Sequence, residues 1–258
     1  MNDSRLGRFA ERGDAAGPVS RKVHTAVHHI PDMAREGFQE QLNDLRENVL
    51  YMSEVVLARV RKGLRALDAK DEALAREVIE GDHEVNEMYL DLEQDCIDLF
   101  ALQQPVAGDL RFIAASFKII TDLERVADLA TNLGDYTLAA DRDLYPDVDV
   151  QGIGDAVLEM IDDAMAAYAE ADVEACFAID DRDDDVDAMC EYASSAVVRD
   201  LIETEIDEGA SGQEIEALLG EVSRLLLTIR DLERVGDHAV NIAARTLYMV
   251  ENSDELIY

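Results

Sequence analysis

The sequence predicts an all-α protein made of two tandem antiparallel three-helix bundles. Three observations carry this. Trp is absent, Pro occurs four times and aromatics make up 5% of the chain, a profile poor in the residues that strands prefer. Between short breaks, apolar residues recur at helical spacing. The chain also repeats itself. "DLERVADLATN" (Asp122–Asn132) returns as "DLERVGDHAVN" (Asp231–Asn241), and Leu67–Met88 is answered by Tyr168–Met189 at an offset of 101.

Residues 1–35 stand apart. They hold six Lys/Arg against four Asp/Glu, with Gly17-Pro18 and Pro31 as breakers. This segment is expected to be a poorly ordered basic extension. His24, His28 and His29 lie in it and are read as part of a basic arm rather than as metal ligands. The first bundle is expected over residues 36–142, with helices over 36–67, 71–102 and 106–142. "QQP" (Gln103–Pro105) ends the second helix, because Pro cannot continue a helix and restrains the residue before it. Residues 143–152, bearing Pro146 and Gly152, form a linker. The second bundle, 153–258, repeats the pattern with helices over 153–171, 172–207 and 213–250, and "EGASG" (Glu208–Gly212) takes the place of the Pro break. Each unit can close a core from three apolar stripes.

Acids interrupt those stripes. On the third helix of the first unit, Ile113, Phe117, Ile120, Leu110, Leu123 and Ala127 share a sector into which Glu124 and Asp128 also fall; Arg125 and Leu129 point away. In the second unit Leu219, Val222, Leu226 and Ile229 build the stripe, and Glu233 and Asp237 interrupt it. The preceding helices do the same, with Asp82 and Asn86 in one unit and Asp183 and Asp187 in the other. Asp82 and Glu124 each lie about 20 residues from the intervening break, and Asp183 and Glu233 about 25 residues from theirs, so in each folded-back hairpin the two pairs meet at one level. Like charges four residues apart repel, and converging carboxylates are costly unless compensated. A cation such as Mg, Mn, Fe or Zn is the economical compensation in a helix bundle; a solvated acidic groove is the competing reading. With four carboxylates against three and an amide, the second site is expected to bind more tightly.

His83 and His238 adjoin Asp82 and Asp237, but one residue along a helix turns a side chain by about 100°, so both are expected at the surface. Cys96, Cys176 and Cys190 form no CxxC pair and are expected as inert core thiols. No Gly-rich phosphate loop or nucleophile motif occurs. No apolar run reaches the roughly 18–20 residues that span a bilayer, and no signal-peptide core opens the chain, so the cytoplasm is the expected location.

Taken together, "GDHEVNEM", "RDDDVDAM", "LQQPVAGDLRFI", "DLERVADLATN" and "DLERVGDHAVNIA" resemble the PhoU family of phosphate-uptake regulators, over about Gly37 to Val250. The resemblance implies two tandem three-helix bundles. It implies paired acidic motifs that hold multinuclear iron or zinc: Glu124/Asp128 and Glu233/Asp237, with Asp82/Asn86 and Asp183/Asp187 as partners. Asn86 departs from the acidic pattern, and its neutral amide is a weaker ligand. The resemblance further implies a non-enzymatic adaptor, peripheral to the membrane, on the nucleotide-binding subunit of the phosphate-specific ABC transporter. A sensor kinase or transcription regulator and a second copy of the chain are further candidate partners. A carboxylate-bridged metal enzyme or a metal-storage bundle is the alternative.

Asp and Glu outnumber Lys and Arg 58 to 23, a formal charge of -35 spread along the chain, which argues against free nucleic acid as a partner. The even spread is read as salt adaptation, since screening shortens to about 3 Å in molar salt. The melting temperature should therefore rise from low to molar KCl; a flat or falling curve would instead indicate a dedicated acidic partner surface.

Overall fold

The structure, a computed structural model, describes residues 29–102, 106–140, 148–203 and 211–257. Among them are seven helices and no strand: α1 (His29–Ala69), α2 (Glu72–Glu80), α3 (Asp82–Leu102), α4 (Ala107–Ala139), α5 (Val150–Glu170), α6 (Val173–Glu203) and α7 (Gly212–Glu251). Residues 1–39 and 40–258 form separate compact units, and the second contains every side-chain contact described below. The predicted basic extension lies outside the described residues up to position 28. Beyond it, helix begins at His29 rather than at 36. Pro31 falls in the first helical turn, where its missing N–H costs nothing.

The first hairpin of each half closes with the same device. Lys70 and Ala171, 101 residues apart, both take the left-handed conformation, with φ of 51° and 56°. The next amide reaches back to close the last turn, Asp71 N to Ala66 O and Asp172 N to Ala167 O, each at 3.0 Å. Asp71 and Asp172 then cap the following helix: Asp71 Oδ1 accepts from Ala73 and Leu74, and Asp172 Oδ1 from Ala175. At α7 a reciprocal capping box joins Ser211 and Glu214. The duplication is thus written in the caps as well as in the motifs.

One predicted helix is corrected. The span 71–102 is not continuous, because Gly81 separates α2 from α3, while its counterpart Arg182 sits inside the unbroken α6. The Arg59 guanidinium lies against this break, as described below.

Each half packs three helical segments around an apolar core that includes Val49, Met52, Val56, Ile113, Ile120 and Leu123 in the first half and Val157, Ile161, Ile179, Val186 and Ile229 in the second. The halves are bound to each other through α4 and α7, which run antiparallel. Their contact is crossed by buried polar bonds. The Asp122 carboxylate lies 2.9 Å from His238 Nδ1. Asp231, 1% exposed, accepts from Asn132 Nδ2 at 3.0 Å and from the Tyr136 hydroxyl at 2.8 Å, with Arg230 and Arg234 at 3.3 and 3.7 Å. Burial, together with this hydrogen bond and the nearby charge, pushes the Tyr136 phenol up to about 12, so it remains a donor. Nearby, Tyr168 of α5 stacks on Phe112 of α4 and shares a 2.7 Å hydrogen bond with Ser116.

Two further expectations change. His238 does not face solvent; it is buried against α4. Leu129, expected to point away from the core, is buried as well. Both helices have a second packed face, opposite the stripe that periodicity reveals. Conversely, Leu110 and Leu219, assigned to the stripes, are 43% and 50% exposed, because they lie near the N-terminal ends of α4 and α7, beyond the packed middle. His83 is exposed as expected. Burial pushes the thiols of Cys96 and Cys190 up to about 12 and that of Cys176 to about 11, which keeps them protonated and unreactive.

Replacing Asp231 with Ala strands the Tyr136 hydroxyl and the Asn132 amide at the contact between halves. Urea denaturation should show a loss of about 2–4 kcal/mol. Replacement of the exposed Asp135 on α4 should leave stability within about 0.5 kcal/mol.

Candidate functional site

The four predicted pairs do meet two by two. In the first half, α3 supplies Asp82 and Asn86, and α4 supplies Glu124 and Asp128. Desolvation, then the neighbouring Asp128 and Asp82, raises the Glu124 carboxyl above its usual range, with Arg125 and His238 opposing. Desolvation, then Asp82, raises Asp128, with Arg234 and Arg59 opposing. In the second half, α6 supplies Asp183 and Asp187, and α7 supplies Glu233 and Asp237. Desolvation holds Asp183 up at about 6, reinforced by Asp187 and Asp237. Glu233 is raised by burial, Asp187 and Asp237; Asp237 by burial and Asp187, with His238 and Arg234 opposing. The acids occupy the borders of the stripes: Asp82, Glu124, Asp183 and Glu233 are half-buried, while Asp128, Asp187 and Asp237 are exposed.

The two clusters are satisfied differently. In the first, Asp82 uses both oxygens. Oδ2 accepts from Asn86 Nδ2 at 2.9 Å. Oδ1 lies 3.1 Å from the Thr131 hydroxyl and 3.4 Å from Nη2 of Arg59, which comes from α1 and is 7% exposed. Arg59 Nη2 also donates to Thr131 at 3.1 Å. In the second cluster none of the four carboxylates has a hydrogen bond or ion pair among the described residues, and Asp183 Oδ1 is buried without any partner. Space for that oxygen depends on Gly236, where a Cβ would come within 3.1 Å of it. The first copy of the motif has Ala127 at this place.

Asn86, weighed above as a weak ligand, is therefore the partner that removes the repulsion of an i, i+4 acid pair. The residues that sequence reasoning missed are Arg59 and Thr131, together with Asp122, Asp231 and His238 at the contact of the halves. A signal for the first two exists at the offsets of the repeat: Arg59 corresponds to Met160 and Thr131 to Val240.

Among the described residues, no three His, Cys, Asp or Glu side chains converge on a single point closely enough to hold an ion as they are placed. The donor chemistry of the second cluster nonetheless suits a hard or borderline cation, with four carboxylates and a buried oxygen lacking a donor.

The PhoU domain model matches residues 49–137 and again 150–246, one match in each half. The chain belongs to the PhoU family. A phosphate-specific transport system accessory protein PhoU homolog of Pseudomonas putida is 31% identical over 231 residues, covering 88% of this chain and 84% of that protein. The crystal structure of PhoU from Pseudomonas aeruginosa has a TM-score of 0.73 at 30% identity, covering 84% of this chain and all of the other. The phosphate transport system regulatory protein PhoU from Streptococcus pneumoniae has a TM-score of 0.75 at 24% identity, covering 84% and 98%, and shares the fold. Two PhoU domains in one chain fit the tandem duplication read from the motifs.

The raised carboxyls give a pH dependence with a definite sign. Asp183 titrates near 6 when folded and near 3.9 when unfolded, so between these values the folded state binds more protons. Stability of chelator-treated protein should therefore fall as pH rises from about 4 to about 6 and stay reduced above it. Asp183→Asn should raise the stability of that protein at pH 7 by about 1–2 kcal/mol, discounted for partial exposure, and flatten the slope. Melting curves across pH check both; an unchanged slope in the variant would place the titration elsewhere.

Proposed function

We propose that the chain is an accessory regulator of phosphate transport, acting as a non-enzymatic adaptor on the ATP-binding subunit of the transport system. One observation carries this reading. The chain aligns over more than four-fifths of its length with proteins named for the phosphate-specific transport system, at about 30% identity and with both domains present. No described helix is long and apolar enough to cross a membrane, so in this reading the chain works from the cytoplasmic face of a membrane-bound partner.

In the same reading the second cluster holds a divalent or trivalent ion, iron or zinc on the family resemblance, through Asp183, Asp187, Glu233 and Asp237. Such an ion would supply a direct positive partner to four carboxylates that form no ion pair among the described residues. The chain's own residues do the remaining work. Asp122, His238, Asp231 and Tyr136 fix the two halves against each other, and Gly236 leaves room for Asp183. The adaptor role needs a rigid body with a defined face, and buried polar bonds supply rigidity with direction.

Deleting the gene tests the regulatory reading. Phosphate uptake under phosphate-replete growth should rise, or the phosphate-starvation response should run without starvation. Unchanged uptake and unchanged transcription would defeat the proposal.

A further inference from the structure

The two acidic clusters descend from one duplicated design, yet a guanidinium occupies one of them. We infer that Arg59 is the resident cation of the first cluster, and that it confines metal loading to the second. The inference rests on the proposed loading of the second cluster, and the experiment below separates the two.

Four coordinated differences between the halves support it. Arg59 of α1 enters the first cluster, where the second half has Met160, which is fully buried and apolar. Thr131 accepts from Arg59 and faces Asp82, where the second half has Val240. Asn86 donates to Asp82, where the second half has Asp187. Gly81 admits the guanidinium. A Cβ there would lie 2.5 Å from Arg59 Nη1, so any larger side chain requires the guanidinium to shift. This close approach also coincides with the break between α2 and α3. At the corresponding position the second half has Arg182, turned outward to Glu159 and Asp163 of α5 and away from Asp183. The same kind of side chain thus serves an inner role in one half and an outer role in the other.

The charges follow. Three carboxylates and one guanidinium leave the first cluster at a formal -2, while the second stands at -4. Asp82, the half-buried ligand candidate on α3, has donors on both oxygens, so an ion would have to displace Asn86, Thr131 and a guanidinium that is 7% exposed. Asp183, its counterpart, has a buried oxygen with no donor to displace. At the first cluster a cation meets a resident guanidinium bonded to Asp82; at the second no cationic side chain is paired with the four carboxylates, and Arg234 and His238 act only on Asp237, from a distance.

The test strips the full-length protein with chelator, loads it with Zn²⁺, dialyses it and measures zinc by elemental analysis. Wild type should hold zinc that Asp183→Asn with Asp237→Asn removes. Arg59→Met, which copies the residue of the other half, should raise the zinc content about twofold. That gain should survive in the triple variant and vanish when Glu124→Gln and Asp128→Asn are added. Arg59→Gln, which keeps a donor toward Asp82 without the charge, should give the same direction of change and serves if Arg59→Met does not fold. Zinc retained at half or more by Asp183→Asn with Asp237→Asn, or no gain in either Arg59 variant, would overturn the assignment of Arg59. Wild type without zinc, but with a gain on removing Arg59, would support the role of Arg59 while defeating the loading of the second cluster.

Discussion

A carboxylate taken out of water must find a donor or a cation, and this requirement organises the whole protein. The DLERV motif places two acids on nearly opposite faces of one helix, since residues 122 and 124 are about 200° apart. Asp122 and Asp231 face the other half and are buried there. Glu124 and Glu233 face their own hairpin. On the inner face the demand is met by reciprocal means: Asp122 by His238, and Asp231 by Asn132 and Tyr136. The motif is therefore repeated because each copy has two duties, holding the halves together and presenting acids to the hairpin. In each copy the first Asp of the motif is buried against the helix of the other half, with different partners there.

On the outer face the copies have diverged. The first cluster satisfies Asp82 internally, and the helix break at Gly81 accompanies the entry of Arg59. The second keeps an unbroken helix, four acids and a partnerless oxygen. Burial and mutual repulsion drive the second cluster toward protonation or toward an external cation. The internal arginine satisfies Asp82 within the protein, while Glu124 and Asp128 stay raised. Duplication permits this division, because one copy can be fixed in structure while the other stays open to its surroundings.

Much of this was legible in the sequence. Equal offsets between Leu67–Met88 and Tyr168–Met189 gave the repeat, and counting residues from each break brought the four acid pairs together. The failures share a cause. A single apolar stripe defines one inner face, but α4 and α7 have two, so Leu129 and His238 lie off the stripe and are nonetheless buried in the fold. Leu110 and Leu219 have the right angle on the helix but lie beyond the packed middle, a fact of length that periodicity does not contain. Arg59 could not be placed from its own helix, since its partners Asp82 and Thr131 are 23 and 72 residues away. Only its mismatch with Met160 marks it.

The clusters are also less separate than the duplication suggests. His238 and Arg234 both belong to the second copy of the motif. His238 opposes the upward shift of Asp237 in the second cluster and of Glu124 in the first. Arg234 opposes that of Asp237 and of Asp128. The corresponding residues of the first copy are Arg125, which acts on Glu124, and Leu129, which carries no charge. The second half therefore provides Arg234 near both clusters, and the first half answers with Arg59, which acts on Asp128 alone among these raised carboxyls. A change of charge at Asp237 is felt by the same two side chains that face Glu124 and Asp128. Because His238 is also the partner of Asp122, the electrostatics of the second cluster and the bond between the halves meet in one imidazole.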